Sequence, residues 1–372
     1  METVRTEVAI IGAGPTGLVA SQLLAKEGVI VHVFEKSEMP KHKVCGEYIS
    51  KEVFQFLKDL GNPLDESGFA EINKLSLSGP NGEVLNTDLD LGGFGLSRYK
   101  FDELLAKNAE KMGVVIHANT AIENVEKIGG KYVLTTKSNE KIYANWVIGA
   151  QGKRSELDKN LKRKFWKKRS HFMGVKYHVK GDFDENSIFL DIFKDGYCGF
   201  SKVEGDLFCL CYLVKADKLK SAGSIDAMEA EIGRENPRFA EKLLKAEKIN
   251  EQPLVINQVS FLEKERSHDG VIMAGDAAGM ISPLCGNGMA MGIQAAKLAV
   301  ESYLKYPKDE AARNRKYEWD WNLRFKTRFL VGSILQNLFF NPRMINTAIK
   351  FLGSRPRITK KIISLTHGIP LK

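Results

Sequence analysis

Gly12, Gly14 and Gly17 stand in the run EVAIIGAGPTGLVASQLLAKEGVIVHVFEK, residues 7–36. At that spacing the first glycine permits a tight turn and the second lets main chain approach a pyrophosphate. The third brings a helix against a strand. Glu35 follows 23 positions after Gly12, where a carboxylate suits two ribose hydroxyls and repels a 2′-phosphate. The chemistry is capture of an adenine dinucleotide, with Pro15, Thr16 and Lys36 among its contacts, and these residues do not separate NAD from FAD. The elements that must hold them are readable from the same run. Val8 to Ile11 is continuously apolar, as a buried parallel strand is. A helix follows from about Pro15 to Lys26 and ends at Gly28, the proline in its first turn losing no hydrogen bond. Its N-terminal amides face the phosphates, and a second strand, Val29 to Phe34, ends on the acid.

A second run, VIMAGDAAGMISPLCGNGMAMGIQAAKLAV over residues 271–300, sets Gly275 and Asp276 after a short apolar strand. Gly286, Asn287, Gly288 and Met289 then open a helix rich in Ala and Met. Alone, Asp276 would read as a helix cap. Together with the distant glycine turn, the run resembles the flavoprotein superfamily of p-hydroxybenzoate hydroxylase, ubiquinone-biosynthesis hydroxylases and geranylgeranyl reductases. The resemblance implies FAD as cofactor, Asp276 on the ribityl chain, and the Gly286–Met289 helix start beside the pyrimidine edge of the isoalloxazine. Helix amides there favour the negative charge a reduced flavin carries near N1 and O2.

Three further segments extend the likeness. LSRYKFDELL places Arg98 and Asp102 as in the family's R-x-x-F-D signature, which implies Arg98 near the cofactor; the alternative is an ion pair one helical turn apart. WVIGAQGKRSELD resembles the family's G-A-D-G-x-x-S segment at Gly149, Gly152 and Ser155. Gln151 replaces the usual Asp, which weakens the link to reduced-nicotinamide use. PKHKVCGEYIS most closely resembles the geranylgeranyl reductase-like dehydrogenase branch and implies Cys45 and Gly46 at the isoalloxazine. Cys45 is then either a redox thiol or a small buried hydrophobe. Glu47 is either a proton donor or a helix-cap partner. No second glycine fingerprint exists, so NAD(P)H enters only as a transiently docked electron donor. The seven His show no metal-ligand or triad spacing, His42 alone lying near the flavin-facing segment, and no metal is expected.

Residues 165–260 change character: HFMGVKYHV, NSIFLDIF, YCGFSKVEG and LFCLCYLV read as an antiparallel sheet with one buried face. Residues 74–91 form a hairpin-like pair around Pro80-Asn81-Gly82 that joins it. The resemblance makes this sheet the roof of the isoalloxazine, with the substrate between the domains. Gly196 to Asp206 stands where prenyl-type reductases show Y-x-W-x-F-P and tryptophan halogenases W-x-W-x-I-P. Tyr197 and Phe200 survive but the Trp and Pro do not, which disfavours halogenation and leaves prenyl specificity open. Tyr197 joins Cys45 and Glu47 as a candidate catalytic residue; strand aromatics are also ordinary core.

The formal charge is +9, from 55 Lys and Arg against 46 Asp and Glu. Residues 301–372 hold fifteen of the former and five of the latter, so the excess belongs to the tail and argues against a whole-surface polyanion binder such as a nucleic-acid protein. The tail reads as helices broken at Pro342 and Pro356, with Arg324, Lys326 and Arg328 among Trp319, Trp321, Phe325 and Phe329. That pattern is either a solvated face or a peripheral membrane contact. Five Cys without paired spacing, no visible leader and no apolar run of membrane-spanning length predict a reducing, cytoplasmic setting. The expected class is α/β. A Rossmann-type, glutathione reductase-like FAD domain (1–73, 92–164, 261–300) carries an inserted antiparallel-sheet substrate domain (74–91, 165–260) and a helical C-terminus (301–372). The expected activity is a flavin reductase or dehydrogenase acting on a hydrophobic small molecule such as an isoprenoid, quinone or polyketide. The rivals are an FAD-dependent monooxygenase and a non-catalytic lipid carrier on the same fold.

Overall fold

The structure is a computed structural model that describes residues 4–341 and 344–371; the expected break at Pro342 lies outside the described residues. Strand Val4–Ile11 is central because its apolar run is buried on both faces. It pairs in parallel with Val31–Phe34 on one side and Lys141–Gly149 on the other. Val115–His117 and Val271–Met273 continue the parallel order outward. A hairpin, Ile122–Ile128 with Lys131–Thr136, runs antiparallel onto Lys141–Gly149. Helices Pro15–Lys26, Arg98–Lys111 and Gly288–Lys305 pack together over this sheet. The mixed α/β class with a helical C-terminus is the one the sequence implies.

The second sheet has nine strands among the described residues. Phe172–Lys180, Phe208–Lys215, Gly196–Lys202 and Ser187–Phe193 form the antiparallel set expected. It reaches further than residues 74–91 and 165–260. Ala70–Ser78 pairs in parallel with Ser187–Phe193, Val84–Gly95 pairs with Ala70–Ser78, and Tyr48–Ser50 closes the edge. Away from the hairpin tip the pairing continues through a bulge between Ile72 and Lys74 to Ala70 and Gly95, so the strands outgrow the segment predicted. Nor is 165–260 sheet throughout: helices Ala216–Ala222, Ile225–Glu235 and Pro237–Lys245 intervene. Ser224 and Asn236 cap the last two, and Met228, Ile232 and Phe239 bury against the sheet.

Helices Glu310–Phe339, Ile345–Gly353 and Pro356–Thr366 fold back onto both sheets. Trp321 and Phe325 turn into the core and Phe329 packs against it, so most of the tail aromatics are structural rather than surface anchors. Arg328 is buried too, paired with Glu52 at 3.1 Å. The chain end is tied down where Leu371 N donates to Glu52 O at 2.7 Å. No helix among the described residues is long and apolar enough to cross a membrane.

Candidate active site

The two glycine runs meet at Thr16. Side chains at Gly275 or Gly292 would collide with its Oγ1, so the first helix and the Gly288–Lys305 helix approach almost backbone to backbone. In the turn itself Gly12 takes φ +104°, and a Cβ there would strike the Ala150 carbonyl; one at Gly17 would strike the carbonyl of Gly12. Gly14 is different. Its missing side chain faces only Arg98, whose Nη2 stands 3.7 Å away. No side chain caps the helix that begins at Pro15, so its first amides remain for an anion. Glu35 is fixed beside the turn, Oε2 accepting from Ala13 N at 3.0 Å and Oε1 from Ser37 N at 3.2 Å. Lys36 is exposed next to it. Arg98 is held bidentate by buried Asp102 at 2.9 and 2.8 Å, and Lys43 reaches the same carboxylate at 2.9 Å. The ion pair and the approach to the glycine turn are thus one arrangement.

Asp276 follows Gly275 at the end of strand Val271–Met273. Its carboxylate takes no hydrogen bond from the described residues, and burial pushes its pKa up against the pull of Lys264, Arg98 and Lys153. Burial in turn pulls both Lys153 and Lys264 down to about 8. Lys264 Nζ donates to Lys153 O and Asp276 O at 2.6 Å each. Gly286 takes φ +62° against the Tyr48 ring, and Asn287 precedes the helix that starts at Gly288 and Met289 without capping it. Asn287 Nδ2 instead donates to Thr366 O at 2.9 Å, and its buried Oδ1 has no partner among the described residues. Two uncapped helix starts, an unpartnered carboxylate, an orphaned amide oxygen and an arginine over an open glycine are the donor set a flavin dinucleotide requires.

The 45–47 loop lies between this site and the second sheet. Cys45 stays a neutral thiol, because burial raises its pKa more than Arg98 lowers it. Gly46 has open space where a side chain would be. Glu47, at φ +55° and fully buried, accepts from Lys176 Nζ at 2.5 Å, His178 Nε2 at 2.6 Å and Arg98 N at 2.6 Å. Burial alone would raise its pKa. The hydrogen bond from His178 and the charge of Lys176 overturn that and hold it below the usual carboxylate value. It is a clamped anion at the helix start, with no free proton to give. Glu47, His178 and Cys209 bring donor atoms within 4.8 Å of one another. The Glu47 carboxylate of that cluster is already taken by Lys176 and Arg98 N. His42 stacks edgewise on His178 at 5.3 Å. Tyr197 is core: it is 5% exposed, packs on Phe340 and lies outside the cavity described next.

That cavity, about 730 Å³ with the solvent at its mouth included, runs between the second sheet and the tail helices. Leu75, Leu77, Leu85, Leu89, Ile188 and Leu190 form its sheet wall. Leu335, Phe339, Leu352, Ile362 and Ile363 form its helical wall, and Cys285 and Gly286 bring its inner end to the flavin loop. Tyr48, Lys176, His178 and this tail wall were absent from the sequence reading. A lysine inside the apolar strand run HFMGVKYHV was the one available signal.

The chain matches the FAD binding domain family over residues 5–315 and belongs to it. It is 24% identical to conditioned medium factor receptor 1 of Dictyostelium discoideum, covering 94% of this chain and 74% of that one. It is 27% identical to digeranylgeranylglycerophospholipid reductase 1 of Methanosphaera stadtmanae, covering 85% and 79%. Among solved structures, a geranylgeranyl bacteriochlorophyll reductase-like protein from Thermoplasma acidophilum superposes with TM-score 0.81 at 21% identity, covering 97% and 95%. The chain is an FAD-dependent oxidoreductase.

Proposed function

We propose that this flavoenzyme reduces or dehydrogenates a hydrophobic, chain-bearing small molecule of the isoprenoid or quinone kind. The observation that carries the reading is the aliphatic cavity ending at Cys285 and Gly286; such walls select by shape and apolar area. The names of the reductase relatives agree with it. Bound FAD supplies hydride or electron transfer, and NAD(P)H docking transiently is the proposed donor. Gly12, Gly14, Pro15, Thr16, Gly17, Glu35, Lys36, Arg98, Gly275 and Asp276 would hold the dinucleotide. Cys45, Gly46 and Gly286 to Met289 would flank its ring. The Gly288 helix start would stabilise negative charge beside it, while the leucine walls exclude water. Anaerobic, chemically reduced protein mixed with a polyunsaturated prenyl compound should regain its oxidised-flavin absorbance and yield a product heavier by two hydrogens. A product that instead gains oxygen, formed only in air, establishes the monooxygenase alternative and ends the reductase reading.

Of the tail residues the sequence suggested, we propose that Trp319 and Lys326 keep a role in a peripheral membrane contact, joined by Leu323, Leu330 and Ile334. Trp319, Leu323, Leu330 and Ile334 are all exposed, and with Lys326 they fall within roughly 80° of one helix face at 100° per residue. Arg355, Arg357 and Lys361 are exposed on the following segment. Exposed apolar side chains together with exposed cations are suited to an anionic bilayer. The full chain should float with anionic vesicles, and the triple substitution Trp319→Ser, Leu323→Ser, Leu330→Ser should abolish this. Equal flotation of the two proteins removes the contact.

A further inference from the structure

Two polar atoms interrupt the apolar cavity. Tyr48 Oη is buried and has no hydrogen-bond partner among the described residues, and the same holds for His367 Nε2. Both residues line the cavity. Their rings stand edge to face with centroids 6.3 Å apart, at the end where the Tyr48 ring lies against Gly286. The other hydroxyls of the lining are engaged locally: Thr359 Oγ1 donates to Leu352 O at 2.8 Å and Thr366 Oγ1 to Ile363 O at 2.8 Å. A buried polar atom without a partner is costly, and a ligand in the cavity these residues line would relieve that cost for both.

The network fixes what each atom offers. His367 Nδ1 lies 3.1 Å from Ile363 O, which only accepts, so Nδ1 carries the proton and Nε2 is an acceptor. Burial also lowers the His367 pKa and keeps the ring neutral. The Tyr48 O–H donates; burial raises its pKa far above neutrality. No charged side chain among the described residues belongs to the lining, and the nearby ions are spent on one another: Arg328 on Glu52 and Lys360 on Asp90. One donor and one acceptor, with no cation, match a group that both accepts and donates and carries no charge.

We propose that Tyr48 and His367 form the polar anchor of this cavity and select a long-chain ligand with a neutral hydroxyl head, in preference to a carboxylate or phosphate. The inference rests on the cavity being the substrate site, and places the head of the chain at the flavin-loop end. It concerns binding and requires no transfer step.

The test is equilibrium binding to the FAD-loaded full chain by calorimetry, with dodecanol, its methyl ether and dodecanoate as probes. Dodecanol should bind about tenfold more tightly than the ether, which lacks the donor, and more tightly still than dodecanoate. Tyr48→Phe should cut dodecanol affinity about tenfold without lowering the melting temperature of the ligand-free protein, because the hydroxyl it removes has no protein partner. A merely structural tyrosine would show the reverse, a lower melting temperature with unchanged affinities. If alcohol and ether bind equally and Tyr48→Phe changes neither, the anchor is refuted while the cavity reading stands. If dodecanoate binds best, the neutral-head selection is refuted. If none of the three binds, the cavity reading falls and takes the anchor with it.

Discussion

Replacing Glu47 with glutamine changes one oxygen to an amide nitrogen, yet it should be among the more destabilising substitutions in the chain. Lys176 and Glu47 side chains are 1% and 0% exposed and 2.5 Å apart. Removing one partner leaves a buried ammonium without its anion, a loss of about 3–5 kcal/mol. Unfolding entropy near 2.1 cal/mol/K per residue gives about 1.3 °C per kcal/mol for a chain of this length, so Tm should fall by about 4–6 °C. Adding Lys176→Met removes the stranded charge and should restore most of the loss. The pH dependence has a definite sign. Glu47 is held below its ordinary value of 4.5, so its ionisation stabilises the fold above that pH and the contribution is lost as pH falls through the folded-state value. The Tm gap between wild type and Glu47→Gln should therefore narrow in acid. Differential scanning fluorimetry of the three proteins across that range checks it. A single variant within a degree of wild type, a double variant no better than the single, or a gap that ignores pH would refute the clamped-anion account.

Two other outcomes bear on the cofactor. Gly17→Ala puts a methyl group into the Gly12 carbonyl and should yield protein at least 100-fold weaker for FAD, on the order of 3 kcal/mol; a yellow variant with full flavin stoichiometry contradicts the fit. Lys153 and Lys264 are both pulled to about 8 by burial, and an anionic pyrophosphate favours their charged forms. FAD affinity should then weaken as pH rises through 8, and Lys153→Met should flatten the curve. The apoprotein should behave oppositely, gaining stability between about 8 and 10.5 because the unfolded lysines hold their protons longer. Fluorescence titration of FAD and melting of the apoprotein on either side of pH 8 measure the two.

What the sequence disclosed follows the range over which each feature is encoded. The glycine turn, Glu35 and the helix from Pro15 are set by residues in contact along thirty positions, and backbone sterics leave those types little alternative. Glu47 was readable as a proton donor or a helix-cap partner, and it does accept from Arg98 N at a helix start; its clamp was not readable, since Lys176 and His178 lie about 130 positions away on a distant strand. Tyr197 shows the converse: an aromatic in a motif-like run that packing alone explains.

The tail was the least legible part, because composition reports charge and not where it is spent. Its excess of cations suggests an appendage, yet Arg328 is buried on Glu52, and Gln294 of the flavin-side helix donates to that carboxylate at 2.7 Å while accepting from Arg324 at 2.8 Å. Asn287, read from sequence as a flavin contact, holds the end of the last helix through Thr366. Its nitrogen thus holds the helical wall of the cavity, while its buried oxygen has no partner among the described residues. Moving the end of the last helix would strain that buried hydrogen bond, so the cavity's helical wall and the start of the Gly288–Lys305 helix are tied together through the tail.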